Sequence, residues 1–455
     1  METEFDVGRR VSIEQKSRSL FLSVWLDRRA VNVRRTLQEK KRQLRGKRHQ
    51  VDVFLQLDDP WSYILSCFLP DLQRCYDIDL VLHLSEALGD DYQPAPEMLS
   101  EYAINDSRRL AEELGLPFLD KGQLPPTEHR LALSASLAAG VDTESFSEQL
   151  LKALAVYWRG DTKAAAAISS ENVDLLQLRT VINASQDKLQ SLGHYNSAML
   201  HYAGEWYWGI DRLQYLLQRL DDVVAAVANA ERTRLNSIRQ VMRASLPIRP
   251  PAAAKDLPPL ELFYSPRSPY SYIALKRIFA IVDAFGLQLQ IRPVLPMVMR
   301  GLQVPRDKLR YIAFDAVREA HRCDVSFGNA SDPVGAGVER FMAVFNYARL
   351  ERRERDFVLH ASVAIWSEAI DLATDSGMRK VTGRTGLFWP DAKAAMDNDD
   401  WREGVDANRE AMAELGCWGV PTLRMGDFVT WGQDRDWLLV RYIEEHCQSG
   451  DGILV

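Results

Sequence analysis

Short alternating runs, each followed by a helical stripe, organise the chain. Leu260, Leu262 and Tyr264 alternate with Glu261, Phe263 and Ser265, and a short run of this kind predicts a strand. Pro266 stops it. Ser268 then precedes Pro269, a pairing that suits a helix N-cap with proline at the first helical position. Tyr272, Leu275, Ile278, Phe279 and Val282 recur at helical spacing, so Ser268 is expected where a strand ends and a helix begins. Residues 287–293 alternate again, and the helix between the two runs implies a parallel crossover. Phe341–Thr374 is expected to be helical, with Phe341, Phe345, Phe357, Val363, Ile365, Trp366 and Ile370 as core. Residues 422–425, a Gly426-Asp427 turn and residues 428–431 predict a hairpin, and Gly432 to Arg435 begins the last helix.

The same pattern occurs earlier. Val51–Ile64 aligns without a gap to Leu260–Ile273, and the same shift of 209 residues pairs Pro96 with Pro305, Tyr102 with Tyr311, Asp106 with Asp315 and Arg109 with Arg318. A second block, Leu192-Gly193 and Trp208–Arg212, matches Leu415-Gly416 and Trp431–Arg435 at a shift of 223. Collinear matches this far apart predict an internal duplication, with about fourteen extra residues inside the second copy. Helices are expected at 97–114, 146–158 and 163–168, and a long helical tract from Gly209 to Ser245. The copies differ at two positions: Asp59 stands opposite Ser268, and Ala198 opposite Pro421. A carboxylate would repel a bound thiolate, so the first half is expected to be catalytically degraded. Alternatively, Asp59 serves as an acid or base of its own, although no motif places a second carboxylate or a histidine near it.

At 455 residues the chain has room for two or three domains. Five prolines in residues 246–259 mark a boundary. The expected division is a basic helical arm at 1–50, a degenerate domain at 51–245, a linker at 246–257 and a second domain at 258–455. The arm holds fourteen Lys and Arg against six Asp and Glu, and its apolar run, 20–26, is far too short to span a bilayer. Arg9, Arg10, Lys16 and Arg18 imitate a signal-peptide start, but Asp27-Arg28-Arg29 follows the run with no cleavage site. The arm is expected to pack as a solvated helix, with an acidic partner or membrane surface as the sharper alternative. The composition, 46% hydrophobic and 26% charged with a net charge of −7, fits a globular protein and argues against nucleic acid as the overall partner. Cys67, Cys75, Cys323, Cys417 and Cys447 form no Cys-x-x-Cys and no zinc spacing, which predicts reduced thiols and a cytoplasmic location. The eight histidines show no His-x-x-x-His, so no metal is expected.

Strand, Ser268-Pro269-Tyr270-Ser271-Tyr272 and helix, followed much later by Gly419-Val420-Pro421-Thr422 entering a strand, resemble the DsbA-like thioredoxin superfamily. The likeness is to its 2-hydroxychromene-2-carboxylate isomerase and kappa-class glutathione transferase branch, in which a serine replaces the first cysteine of Cys-x-x-Cys. The resemblance implies an α/β fold of two tandem thioredoxin-like domains, each with a helical insertion. It implies glutathione as cofactor, a small electrophilic substrate, and Ser268 as the catalytic residue that stabilises the glutathione thiolate. Val420, Pro421, Gln433 and Asp434 would bind glutathione, with Tyr270, Ser271, Tyr311 and Arg318 in support. A cis Val420–Pro421 bond would leave the Val420 N–H and C=O to pair with a peptide-like ligand as an added strand. Tyr311, Asp315 and Arg318 fall on one helical face. Many relatives carry an asparagine after the second strand, where this chain has Met297 and Val298. Relatives are often dimers, so the first half is expected to replace a second subunit as an internal pseudo-dimer. The rival readings are a non-redox module holding an extended peptide and a thiol-disulfide oxidoreductase, the latter disfavoured by the missing cysteine pair.

Overall fold

The computed structural model describes residues 28–86, 92–119, 127–169, 174–224, 227, 231–249, 251, 254 and 256–450. The apolar run expected in the arm lies outside them. The described chain divides into two compact units. The first holds residues 34–243 and Pro305–Tyr311; the second holds 28–33, 244–304 and 312–450.

Helix α1 (Arg28–Leu44) opens the described chain, and the first unit's sheet follows. Strand β1 (Gln50–Gln56) is followed by α2 (Pro60–Ser66), α3 (Leu69–Cys75) and β2 (Asp79–Ser85). Five helices come next: α4 (Pro96–Glu113), α5 (Thr127–Ala139), α6 (Phe146–Trp158), α7 (Thr162–Ile168) and α8 (Leu175–Ser191). The hairpin of β3 (Met199–Tyr202) and β4 (Glu205–Trp208) then leads to α9 (Gly209–Val223) and α10 (Thr233–Val241). The strand order is β2-β1-β3-β4, with β1 parallel to β2 and antiparallel to β3. The tract expected from Gly209 to Ser245 is therefore two helices: α9 ends where Val224 turns to an extended backbone.

In the second unit β5 (Leu260–Tyr264), α11 (Pro269–Phe285) and β6 (Leu289–Pro293) form the parallel crossover. A 3-10 turn (Met297–Arg300) leads into six helices: α12 (Arg306–Arg322), which belongs to this unit from Ile312 onward, α13 (Ala336–Leu350), α14 (Glu354–Trp366), α15 (Asp375–Thr385), α16 (Trp389–Ala395) and α17 (Trp401–Glu414). The hairpin β7 (Thr422–Met425) and β8 (Phe428–Trp431), a 3-10 turn (Gln433–Arg435) and α18 (Asp436–Gly450) close the unit. The order is β6-β5-β7-β8, with the same relative strand directions as in the first sheet.

One strand expectation holds and two helix expectations are corrected here. The strand expected at Leu260–Tyr264 is β5, and all five of its residues are buried, as a central strand covered on both faces requires. The helical stretch expected over Phe341–Thr374 is two helices, broken where Arg352 takes a left-handed φ of 56°; Ile370 lies beyond α14. Gly432–Arg435 enters the last helix through a 3-10 turn. One difference between the units has a plain cause. Residues 60–75 form two helices where 269–285 form one, because Pro70 stands in the first turn of α3, and proline cannot donate to the previous turn.

Both sheets carry a buried carboxylate on the central strand between basic side chains of its neighbours. In the second unit Glu261 pairs with Arg292 of β6 and with Arg424 of β7, the latter at 3.2 Å. In the first, Asp52 accepts from His83 Nε2 of β2 at 2.9 Å and lies 3.9 Å from His201 Nδ1 of β3.

Candidate active site

Ser268 caps α11 with an extended backbone (φ −90°, ψ 115°), and its Oγ accepts from Ser271 N at 3.1 Å. The same hydroxyl donates to the carbonyl of Val420 at 3.2 Å, and the Val420–Pro421 bond is cis. Ser268, Ser271, Val420 and Pro421, expected from sequence to act together, therefore meet at one point. The Val420 carbonyl is not idle, as the added-strand picture supposed: it is the acceptor for Ser268. Ser271 Oγ is buried beside this point with no hydrogen-bond partner among the described residues.

The surroundings hold both loops rigid. Trp366 Nε1 donates to Pro266 O at 3.1 Å, and Arg267 grips Asp332 through two nitrogens at 2.8 and 2.9 Å. Across from them, Thr422 Oγ1 donates to Gly419 O at 2.8 Å, and Gly432 N to Pro421 O at 2.8 Å. Gly419 must be glycine: a Cβ there would lie 2.3 Å from Trp431 Cζ2. Arg300 Nη2 donates to Trp418 O at 3.0 Å, fixing the approach to the cis bond.

The supporting residues fall into separate contacts. Tyr270 OH donates to Asp315 Oδ2 at 2.9 Å, and Arg318 lies 3.7 Å from the same carboxylate. Gln433, predicted as a ligand contact, is buried, and its amide donates inward to Glu319 at 3.2 Å and to Asp434 at 2.9 Å. Arg322 closes that network on Glu319 at 2.9 Å. Tyr311 makes a different contact, edge-on to His194 at 4.7 Å. Sequence reasoning missed Glu319 and Arg300. Glu319 could have been found, since it follows Asp315 by four residues and so shares its helical face; Arg300 follows an apolar run and carries no such signal.

Burial pushes the Cys323 thiol up to about 11 and raises Cys67 as well, and none of the five cysteines forms a disulfide. Among the described residues no cluster of three or more His, Cys, Asp and Glu could hold a metal ion. Nor is any helix among them long and apolar enough to cross a membrane.

In the first unit Asp59 caps α2 in the place that Ser268 takes on α11. Its oxygens accept from Trp61 N (3.1 Å), Ser62 N (3.2 Å), Ser62 Oγ (2.7 Å) and Ser197 Oγ (2.9 Å). Burial pushes its carboxyl up to about 6, against those hydrogen bonds. Ala198, opposite Pro421, takes a left-handed φ of 53°.

The family described as "DSBA-like thioredoxin domain" matches residues 259–444. A 2-hydroxychromene-2-carboxylate isomerase of Pseudomonas putida is 24% identical over 201 residues, 42% of this chain and 96% of that enzyme. Among solved structures, a 2-hydroxychromene-2-carboxylate isomerase is 23% identical and covers 43% of this chain and 99% of its own, with a TM-score of 0.38. The cytosolic disulfide reductase DsbM from Pseudomonas aeruginosa with GSH is 17% identical, covering 41% and 98%, with a TM-score of 0.31. Strand order, capped helix and family match agree that residues 259–444 form a DsbA-like thioredoxin domain.

Proposed function

We propose that the second unit binds glutathione and that Ser268 holds its sulfur as a thiolate for reaction with a small electrophile. The observation that carries this reading is the Ser268 hydroxyl, half-buried at a helix N-cap and within reach of the carbonyl before a cis-proline. When a thiolate arrives, the hydroxyl turns its proton from Val420 O to the sulfur. The released carbonyl can then accept an amide N–H of the tripeptide. A hydrogen bond to a charged group is worth roughly 1.5–3 kcal/mol, about one to two pKa units. That brings a thiol of pKa ~8.5 to substantial ionisation at neutral pH, the proton passing to solvent. The sulfur lone pair then forms a C–S bond with the electrophilic carbon of a conjugated carbonyl as that carbon's π bond breaks, the electron pair passing to the carbonyl oxygen, which takes a proton from solvent. Retention of that bond gives transfer; its cleavage after rearrangement regenerates the thiolate and gives isomerisation. The relative named an isomerase supports the second outcome.

The same reading divides the chain into an arm (1–50), a degenerate domain (51–245), a linker (246–257) and the working domain (258–455). Its halves arise by duplication, and its setting is the cytoplasm. Three parallels support the duplication. The strand orders agree. The carboxylate-centred trios at Asp52 and Glu261 occupy positions related by the sequence shifts. Trp61 Nε1 donates to Asp106 at 2.8 Å as Tyr270 donates to Asp315.

Calorimetric titration with glutathione tests the function. Saturable binding is expected, weakened about tenfold or more by Ser268→Ala, the loss of one charge-assisted hydrogen bond. S-methylglutathione should bind wild type and variant alike. No binding at millimolar glutathione would remove this reading in favour of a module that holds an extended peptide.

A further inference from the structure

We propose that the cleft between the Met297–Arg300 turn and helix α17 is a binding site for a small monocarboxylate with an apolar body. Leu295, Met299 and Val405 wall the cleft, Arg300 and Arg409 line it, and Asp406 also lines it. Its volume is about 220 Å³. A cavity of about 150 Å³ admits a benzene ring, so one ring and a carboxylate fit, whereas a drug-sized ligand does not.

The charge distribution selects the ligand. Arg300 Nε is buried without a hydrogen-bond partner among the described residues, while Nη2 is committed to Trp418 O. A buried donor left unmade is costly. Burial, with Arg409 adding repulsion, lowers the Arg300 pKa. Among the described residues Arg409 meets two exposed carboxylates, Asp406 at 3.9 Å and Glu410 at 3.3 Å. Such pairs contribute little, so a ligand carboxylate can displace them. Asp406 reduces two positive charges to a net of one, which favours a monoanion over phosphate. Because Arg300 also holds Trp418 O, two residues before Val420, an occupant would steady the loop that carries the cis bond. This inference stands without glutathione binding.

The test is calorimetry on the full chain with benzoate, and with benzamide as the neutral ligand of the same shape. Benzoate should bind saturably and benzamide about tenfold or more weakly, since only the anion makes charge-assisted bonds. Arg409→Gln should weaken benzoate about fivefold or more; because Arg409 is exposed, the variant should fold. Arg353→Gln, at an exposed arginine elsewhere, should change nothing. Arg300→Lys keeps the charge but loses the fork and should bind benzoate less well. Equal affinity for the two ligands, unchanged affinity in Arg409→Gln, or no saturable benzoate binding by the folded chain would overturn the site.

Discussion

Asp59 and Ser268 cap equivalent helices, but their chemistry differs because a carboxylate is larger in charge and hungrier for donors than a hydroxyl. Ser268 spends one bond on its own helix and keeps a proton that can be redirected. Asp59 is saturated by two backbone amides and two hydroxyls. Its raised pKa fixes the sign of a pH effect. An acid whose folded pKa lies above its ordinary value destabilises the fold once the unfolded form has ionised. The deficit is therefore absent below about 3.8, the ordinary value, and complete above about 6. That difference corresponds to on the order of 3 kcal/mol. Asp59→Asn cannot ionise, and it loses one amide contact at Ser62 N at every pH. Urea denaturation should show the variant less stable than wild type near pH 4, with the gap shrinking or reversing by pH 7. Parallel stability curves would show that the carboxyl is not held neutral by burial. The sequence named Asp59 as the point of divergence, but it suggested repulsion of a ligand. That Ser62 and Ser197 converge on it from 3 and 138 residues away is a tertiary fact that no local pattern carries.

Among the elements, the strands were legible and the helical insert much less so. β5 and β6 alternate or run apolar between prolines, and the β7–β8 hairpin is marked by Gly426 in a left-handed turn. The break at Arg352 falls in the all-charged run 351–356, which holds no glycine or proline to mark it, and the end of α14 at Trp366 was not legible because apolar residues, Ile370 and Leu372, continue beyond it. The charged trios were missed for a related reason: Glu261, Arg292 and Arg424 look like solvent-facing positions in strands that in fact lie side by side. Glu261 is 8% exposed, so the two guanidiniums stand in for the water its carboxylate has lost. Removing a partner from a buried ionic group costs more than an exposed pair is worth. Glu261→Gln should lower stability by about 2–3 kcal/mol, the worth of hydrogen bonds to a charged group. Arg353→Gln should do nothing comparable. A urea midpoint unchanged in Glu261→Gln would mean that the trio is ornamental. In the first sheet burial pushes the Asp52 carboxyl up, but the two imidazoles more than offset this and hold it well below the usual carboxylate range. Histidine thus fills the role that arginine fills in the second sheet.

At the scale of the whole chain, the proposed duplication and the proposed chemistry together fix a number. If both halves kept the ancestral site, each chain would bind two molecules of glutathione. The first half lacks both parts of the arrangement: Asp59 occupies the cap with its acceptors filled, and Ala198 stands where the second half has Pro421. An Asp59 carboxylate, even when partly protonated near pH 6, is a poor neighbour for an arriving thiolate, and by pH 8 it is ionised and repels it. The titration of glutathione into the 455-residue chain should therefore give one site per chain at pH 8. Ser268→Ala should weaken that single site without uncovering another. Two sites of similar affinity would mean that the first unit binds through contacts other than the cap and the loop, and its description as degenerate would fall even if Ser268 acts as proposed. One site that persists unchanged in Ser268→Ala would place the glutathione elsewhere and remove the thiolate mechanism, whatever the ancestry of the two halves.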